Sequence, residues 1–414
     1  MNNSAKRALP RVLSVVAVAG TLALVGCSGS TDASSGGNGS TDFGGVKLQV
    51  WNNIDYDPYQ SLQEKFFADC ATKLNIKVDN QTITGDYTSK LLQAASSKSL
   101  PDISLLNADV QIPLLADQGV LADLGSLGVT TDGMEDSVAD LGKFDDKLYA
   151  LPVQVEDYAL FYNKASFAAA GITEPPATFE QLEADAKLLT TADQQGIALA
   201  GNPTDGAAPS YFLPFLLSAG GDAADPTSDG AVAAVDLYKT LFDQGSVSKE
   251  FVNWGWDATD QFTGGKAAMA VTGPWQLVTP TDFEFGIAPF PTATAGESPK
   301  VGLIGYGYGV AASSDKNKTK AAAALVECRA SEANQLETAV QGGYIPALSS
   351  AQDAFVEQVP GAAPFVDAVP TALNTATLGT EWNKLQQQYV TAIQDATVNG
   401  VSAEEALTKA AAGK

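Results

Sequence analysis

Hydrophobic and polar positions follow two different periods along the first half of the chain. Residues 46–51 alternate with period two, as in a half-buried strand, and Leu62, Phe66 and Cys70 then recur at helical spacing. The pattern next predicts a strand, a helix and a buried strand, at residues 76–78, 87–97 and 101–106. This alternation predicts an α/β fold with a mostly parallel sheet, in which ligands lie beyond the carboxyl ends of the strands.

The stretch 149–164, YALPVQVEDYALFYNK, begins apolar, turns polar at Gln154, Glu156 and Asp157, and becomes apolar again. Adjacent carboxylates do not suit the middle of a buried strand, because an unpaired buried charge is costly. They suit a chain that leaves one core, crosses an exposed cleft and enters a second core. A chain of 414 residues is also too long for one ordinary core, so we expect two domains.

The N-terminal segment has the parts of a secretory signal. A basic start without acids precedes the apolar stretch 12–25, which is too short for a comfortable membrane span. The sequence LVGC that ends at Cys27 resembles the lipobox of bacterial lipoproteins. This implies a signal peptide at 1–26, then a lipidated cysteine and flexible Ser/Gly-rich tether at 27–44. We therefore expect a protein held by a lipid anchor at the extracellular face of the cell membrane; a secretory signal with a chance cysteine is the alternative.

Charge and composition exclude several classes of function. The chain has 48 acidic and 24 basic residues, so it repels phosphate backbones and we expect no nucleic-acid partner. It has no histidine, which excludes Ser–His and Cys–His hydrolases and removes the commonest metal ligand. Its three cysteines lack metal-site spacing, so we expect neither a metal nor a cofactor. Outside the cell Cys70 and Cys328 can form a disulfide, or they can remain two buried thiols.

Short motifs spread over most of the chain resemble those of one family. They are Pro152-Val153 with Leu160-Phe161-Tyr162-Asn163, then FTGGKAAM at 262–269, Gly273-Pro274-Trp275, and IAPFP at 287–291. In this order they resemble the family 1 extracellular solute-binding proteins, the maltose-binding-protein-like sugar receptors of ABC importers. Gln154 departs from the small residue usual at its place in the first motif.

The resemblance implies a two-lobed α/β fold of the periplasmic-binding-protein type II kind, with hinge strands between the lobes. Lobe 1 would comprise residues 45–153 plus 305–348, and lobe 2 residues 156–302 plus 349–414. The resemblance also implies closure of the lobes on a ligand, delivery to ABC transporter permease subunits, and no catalysis. We expect the protein to act as a monomer.

A site for a neutral sugar needs carboxylates and amides for hydroxyl groups, and flat aromatic rings for ring faces. Trp51 and Asn53 lie where the first strand ends, although Trp51 also suits a core. Trp256 lies in a predicted surface loop. Tyr306 lies on a Gly-rich strand, and the pattern leaves open whether its face meets the cleft or the core.

Six further candidates are carried over from the family's ligand contacts. Polar contacts are implied at Asn107, Asp109 and Glu156, and aromatic contacts at Tyr211, Trp275 and Trp382. The alternatives are loop capping for the two residues after the third strand, a solvated hinge charge for Glu156, and a buried core position for Trp275. The acidic residue that the family has just before the Tyr211 position is absent, because Ala208 and Pro209 stand there.

These residues favour a di- or oligosaccharide ligand. The three arginines are Arg7, Arg11 and Arg329, so no guanidinium lies in the candidate loops and a phosphate or amino-acid clamp is disfavoured. Two alternatives remain, a secreted carboxylate-pair glycoside hydrolase and a surface polysaccharide adhesin. Against the hydrolase, we find no carboxylate pair in the sequence whose setting demands a raised pKa.

Overall fold

The computed structural model describes residues 42–204 and 206–413. The predicted signal peptide, Cys27 and the tether as far as residue 41 lie outside the described residues. Within the described part, no helix combines the length and the apolar character needed to cross a membrane.

The described chain alternates between short strands and helices. The strands are β1 Val46–Asn52, β2 Ile76–Thr82, β3 Ile103–Asn107, β4 Lys143–Phe144, β5 Lys147–Leu148, β6 Ala150–Glu156, β7 Ala159–Asn163, β8 Gln195–Ala198, β9 Ala267–Thr272, β10 Phe285–Ala288, β11 Gly302–Val310, β12 Ile345–Pro346 and β13 Leu373–Asn374. The α-helices are α1 Tyr59–Leu74, α2 Tyr87–Ser96, α3 Gln111–Asp117, α4 Asp136–Ala139, α5 Lys164–Ala170, α6 Phe179–Leu189, α7 Ala207–Ser218, α8 Asp229–Asp243, α9 Thr259–Thr263, α10 Lys316–Arg329, α11 Glu332–Gly342, α12 Ser349–Gln358, α13 Ala363–Val366, α14 Trp382–Thr397 and α15 Ala403–Ala411.

The larger sheet has the strand order β12-β6-β11-β3-β1-β2, with β13 beside β11. Strands β1, β2 and β3 pair in parallel, as the strand–helix alternation predicted. The prediction of a mostly parallel sheet is nevertheless wrong, because β11 runs antiparallel to both β3 and β6, and β12 runs antiparallel to β6. The long return strand β11 comes from far along the sequence, and local periodicity carries no information about its direction.

A second sheet has the strand order β10-β7-β9-β8, and the chain enters it with β7, directly after β6 of the larger sheet. Strand β6 ends at Glu156 in the larger sheet and β7 begins at Ala159 in the smaller one. Asn163 ends β7 and caps α5, since its side-chain oxygen accepts hydrogen bonds from the backbone N–H groups of Ala165 and Ser166. The crossing expected from residues 149–164 is therefore present, but its acids are not exposed, because Glu156 and Asp157 are only 3% and 1% accessible.

A disulfide joins Cys70 on α1 to Cys328 on α10, across 258 residues of sequence. Of the two alternatives left open by the sequence, the structure has the disulfide. Next to it, the buried guanidinium of Arg329 lies over the rings of Phe66 and Tyr308, and its Nε donates to Oε1 of Gln63 at 2.7 Å. Arg329, the single arginine of the described part, is fully buried and packs against these two rings.

Candidate functional site

A cavity of about 670 Å³ opens where the chain crosses between the two sheets. Its wall on one side comes from the β1–α1 loop, β11 and the α11–β12 turn, and includes Asn53, Tyr56, Tyr306 and Tyr344. The opposite wall comes from the segment that follows Gly255 and from the turn after β9, and includes Trp256, Asp260, Trp275 and Gln276. Glu156, the last residue of β6, lines the cavity between these walls.

The first wall has Tyr56, Tyr306 and Tyr344, which we call the tyrosine wall, and Tyr59 is packed behind them. The Tyr56 hydroxyl donates to the Tyr344 hydroxyl at 2.9 Å, and the rings of Tyr59 and Tyr344 lie edge to face at 5.4 Å between centroids. Tyr59 itself is buried and donates to Oε1 of Gln154 at 2.7 Å. These contacts connect the β1–α1 loop to strand β6, which places the tyrosine rings around the end of that strand.

The second wall has Trp256 and Trp275, which we call the tryptophan wall, and Tyr158 and Tyr211 are packed behind them. Successive rings meet edge to face, with centroids 5.4 Å apart for Tyr158 and Tyr211, 5.7 Å for Tyr211 and Trp256, and 6.2 Å for Trp256 and Trp275. This geometry is the favourable one for aromatic pairs. Each ring of this set therefore packs against the next one.

The Gly-Pro-Trp motif has a steric explanation. The ring of Trp275 folds back over Gly273, where an added Cβ would lie only 2.1 Å from Cζ3 of the indole. Pro274 opens the short turn Pro274–Leu277, which carries the indole to the cavity. A side chain at position 273 would thus push the Trp275 ring out of the wall.

Glu156 is the buried acid of the cavity. Burial, and then the negative charge of Asp109, raise the pKa of Glu156 to about 8. Burial also raises the pKa of Asp109 and of Asp157. The sequence showed no carboxylate pair in a setting that demands a raised pKa. The structure has such a pair, because Glu156 and Asp109 are both buried and the charge of Asp109 acts on Glu156.

Among the residues that the structure describes, no basic side chain lines the cavity. The charged members of the wall are Asp55, Asp57, Glu156 and Asp260, with no lysine or arginine among the lining residues. The described part of the chain also has no group of three or more Cys, Asp or Glu side chains placed to hold a metal ion. The arrangement suits a neutral or cationic organic ligand, held by aromatic faces, hydroxyls, amides and carboxylates.

The structure brings five of the ten sequence-predicted ligand residues to the cavity wall: Asn53, Glu156, Trp256, Trp275 and Tyr306. Tyr211 lies one layer behind them, against Trp256. Glu156 is not the solvated hinge charge considered as its alternative.

The other four candidates lie away from the wall. Trp51 belongs to β1 and is half-buried against a hydrophobic cluster. Asn107 caps the turn that follows β3, since its side-chain oxygen accepts from the backbone N–H groups of Asp109 and Val110. Asp109 and Trp382 are buried and hydrogen-bonded to each other. Ligand contacts at these four positions stay a prediction.

Sequence reasoning missed several wall residues, above all Tyr56, Asp260, Gln276 and Tyr344. Tyr56 could have been found, because it follows the polar residues at the end of the first strand. Tyr344 follows Gly342-Gly343, a turn signal. Asp260 and Gln276 carry no local signal, because only the packing of α9 and the Trp275 turn brings them to the cavity.

Solved structures of two-lobed binding proteins share this fold. The cyclic alpha-maltosyl-1,6-maltose binding protein from Arthrobacter globiformis matches with a TM-score of 0.76 and 23% identity, over 89% of this chain and 97% of that one. UgpB from Mycobacterium tuberculosis, solved with glycerophosphocholine, matches with a TM-score of 0.77 and 20% identity, over 89% and 98% of the two chains. These likenesses establish the mixed α/β, two-lobed fold.

Sequence comparison gives the family. The family described as bacterial extracellular solute-binding protein matches residues 63–364, and the chain belongs to it. The diacetylchitobiose binding protein DasA of Streptomyces coelicolor is 29% identical over 244 residues, which is 55% of this chain and 55% of DasA. The chain thus matches about half the length of this relative.

Proposed function

We propose that the protein captures a di- or oligosaccharide in the cavity between its two sheets and delivers it to an ABC importer. The observation that carries the proposal is the pair of facing aromatic walls with polar groups between them. Stacked rings cover the weakly apolar faces of sugars, while Glu156, Gln276 and the tyrosine hydroxyls suit their hydroxyl edges. The names of DasA and the Arthrobacter protein, both binders of saccharides, support this ligand class.

Ligand capture would proceed by closure of the two lobes. A solute that touches both aromatic walls binds the closed form better than the open one, so it shifts the population toward closure. The connection between β6 and β7 is one of the segments that must bend in this motion. We expect the permease subunits to recognise the closed form.

The protein would work at the extracellular face of the cell membrane. Membership of an extracellular family supports this location, and the lipobox-like sequence at Cys27 supports a lipid anchor. The Ser/Gly-rich tether would let the body reach the permease. We expect a monomer that needs no cofactor.

One observation favours a second candidate, a glycoside hydrolase. The raised pKa of Glu156 is a property that a general acid requires. Membership of a solute-binding family speaks for binding without turnover. Prolonged incubation of the protein with oligosaccharides, followed by chromatography, separates the two, because released sugar would refute the receptor.

A thermal-shift screen tests the main proposal. The purified protein is heated with mono-, di- and oligosaccharides, and separately with peptides and glycerophosphodiesters. A ligand at 100 times its dissociation constant adds about 2.7 kcal/mol of stability, which gives a clear rise in Tm. Stabilisation by saccharides, with a smaller radius of gyration by X-ray scattering, is expected. Stabilisation by peptides or phosphodiesters alone would overturn the ligand class, and saccharide binding without compaction would favour an adhesin.

A further inference from the structure

The charge of the cavity wall is entirely of one sign. Four carboxyl groups line it, from Asp55, Asp57, Glu156 and Asp260, and none of the described lysine and arginine residues does. Asp57 has a partner, because its Oδ1 accepts from the Ser61 hydroxyl at 2.7 Å. A wall of this kind repels anions and concentrates cations.

Glu156 differs from the other three acids because it is buried. It is 3% accessible and still lines the cavity, and no side chain or backbone group in the described part donates a hydrogen bond to its carboxylate. The groups that act on it electrostatically are Asp109, Asp157, Tyr56, Tyr158, Tyr306 and Tyr344, none of which carries positive charge. An uncompensated carboxylate at such a place is costly to the protein.

Aromatic faces surround the same point. Tyr56, Tyr306 and Tyr344 line the cavity on one side of Glu156, and Trp256 and Trp275 line it on the other. The π faces of tyrosine and tryptophan attract ammonium groups, most strongly where water is excluded. Carboxylate and rings therefore favour the same kind of ligand group.

We propose that the transported solute carries a protonated amine, and that Glu156 holds this ammonium group between the tyrosine and tryptophan walls. The inference rests on the proposed function and specifies its ligand as an aminated saccharide. A hydroxyl group would satisfy the hydrogen-bonding capacity of Glu156, whereas an ammonium group would in addition balance the charge of its ionised form. A bare metal cation fits less well, because no three acidic side chains of the described residues are placed to ligate one metal ion.

Matched pairs of sugars test the proposal. Glucosamine is compared with glucose, and fully de-N-acetylated chitobiose with cellobiose, by isothermal titration calorimetry and by tryptophan fluorescence at pH 6 and low salt. Each pair differs in amine against hydroxyl at the same carbon. We expect the amine to bind about tenfold tighter or better, with an advantage that shrinks as salt is raised.

Two variants locate the effect. Glu156→Gln keeps the shape of the side chain and is expected to remove the preference for the amine. Asp157→Asn removes an acid one residue further on, whose side chain does not line the cavity, and is expected to keep the preference. If Glu156→Gln does not fold, the ratio of amine affinity to hydroxyl affinity within each sugar pair, measured on the wild type, still tests the proposal.

Proton release gives a readout that a merely structural role would not produce. The raised pKa of Glu156 leaves it largely protonated in the free protein at pH 6, and an adjacent ammonium lowers that pKa. Amine binding should therefore release protons, seen as a dependence of the binding enthalpy on the ionisation enthalpy of the buffer. Cellobiose and glucose should release fewer.

The outcomes are distinguishable. Equal affinities within each pair, or no detectable binding of either amine at 50 mM while a neutral saccharide binds, would overturn the inference and leave the saccharide receptor standing. Binding of amines of every kind, methylammonium included, without any affinity for sugars would support the amine site and overturn the saccharide receptor.

Discussion

The indole Nε1 of Trp382 donates a hydrogen bond to Oδ2 of Asp109 at 3.0 Å, although the two residues are 273 positions apart. Both side chains are buried, and the other carboxylate oxygen of Asp109 has no partner in the part of the chain that the structure describes. The bond connects the first residue of α14 to the turn that follows β3. It therefore connects the C-terminal helix α14 to the end of β3, a central strand of the larger sheet.

Replacing Trp382 with Phe is expected to destabilise the protein by about 1–3 kcal/mol, because a buried carboxylate loses a donor. Urea unfolding followed by circular dichroism measures this. Trp256→Phe is the matched control, because Trp256 is 42% exposed and its loss should cost less stability. Saccharide affinity should change more in Trp256→Phe than in Trp382→Phe. A larger change of affinity in Trp382→Phe would place Trp382 in the ligand site.

Trp275→Ala is expected to weaken saccharide binding by about 1.5–3 kcal/mol, roughly 10- to 150-fold, because the ligand loses a large apolar contact. Titration calorimetry measures the change. Trp254→Ala is the control, since Trp254 packs against a hydrophobic cluster and does not line the cavity. Equal affinity losses in both variants would argue against a stacking role for Trp275.

The sequence predicted what local patterns encode. The parallel strands β1, β2 and β3 follow from periodicity, and Trp275 could be named because Gly273-Pro274-Trp275 is a short local motif that resembles one of the family. The passage of the chain from one sheet to the other at Glu156 could also be found, because the acids there interrupt an apolar run.

Long-range pairing could not be predicted in this way. Asp109 follows β3 and Trp382 begins α14, and both places suit a ligand contact. The two side chains are instead hydrogen-bonded to each other. Tyr56 and Tyr344, 288 residues apart, form one wall through a hydroxyl–hydroxyl bond that neither local sequence indicates. The burial of Glu156 likewise depends on residues brought from distant elements.

Gly343 lies against the backbone of the tryptophan wall. It has φ of +73°, and an added Cβ would lie 2.5 Å from Cα of Trp275. Gly343→Ala is therefore expected to lower stability by about 1–2 kcal/mol through backbone strain alone, and to weaken ligand binding further by displacing Trp275. Calorimetry and urea unfolding measure the two effects.

Gly171→Ala supplies the matched control for this position. Gly171 also ends a helix with φ of +75°, but its added Cβ would meet no atom within 4 Å. It should show the strain without the loss of affinity. Similar affinities in the two glycine variants would mean that the contact between Gly343 and Trp275 does not shape the site.

Removing the disulfide by the double substitution Cys70→Ala/Cys328→Ala is expected to lower the free energy of unfolding by about 2–5 kcal/mol, because the bond closes a very long loop in the unfolded chain. Urea unfolding with and without reductant measures this. Reductant should destabilise the wild type and leave the double variant unchanged. Saccharide affinity should not change, since neither cysteine lines the cavity; a large loss of affinity would show that the bond positions the walls.

Glu156 should make the stability of the ligand-free protein fall as the pH rises. Its pKa is raised from 4.5 to about 8, so the folded state holds the proton more tightly than the unfolded state does. Its stabilising contribution is fully present below about pH 4.5 and is lost as the pH rises through about 8. Asp109 and Asp157, whose pKa values are also raised, act in the same direction.

The variant Glu156→Gln isolates the share of this one group, because glutamine does not titrate and the other two acids remain. Measured as free energies of unfolding between pH 5 and pH 9, the variant should gain stability relative to the wild type as the pH increases. Glu297→Gln, at an exposed position, should give a curve parallel to the wild type. A parallel curve for Glu156→Gln as well would mean that Glu156 ionises in the folded protein as it does in water, and amine binding would then not release the protons expected above.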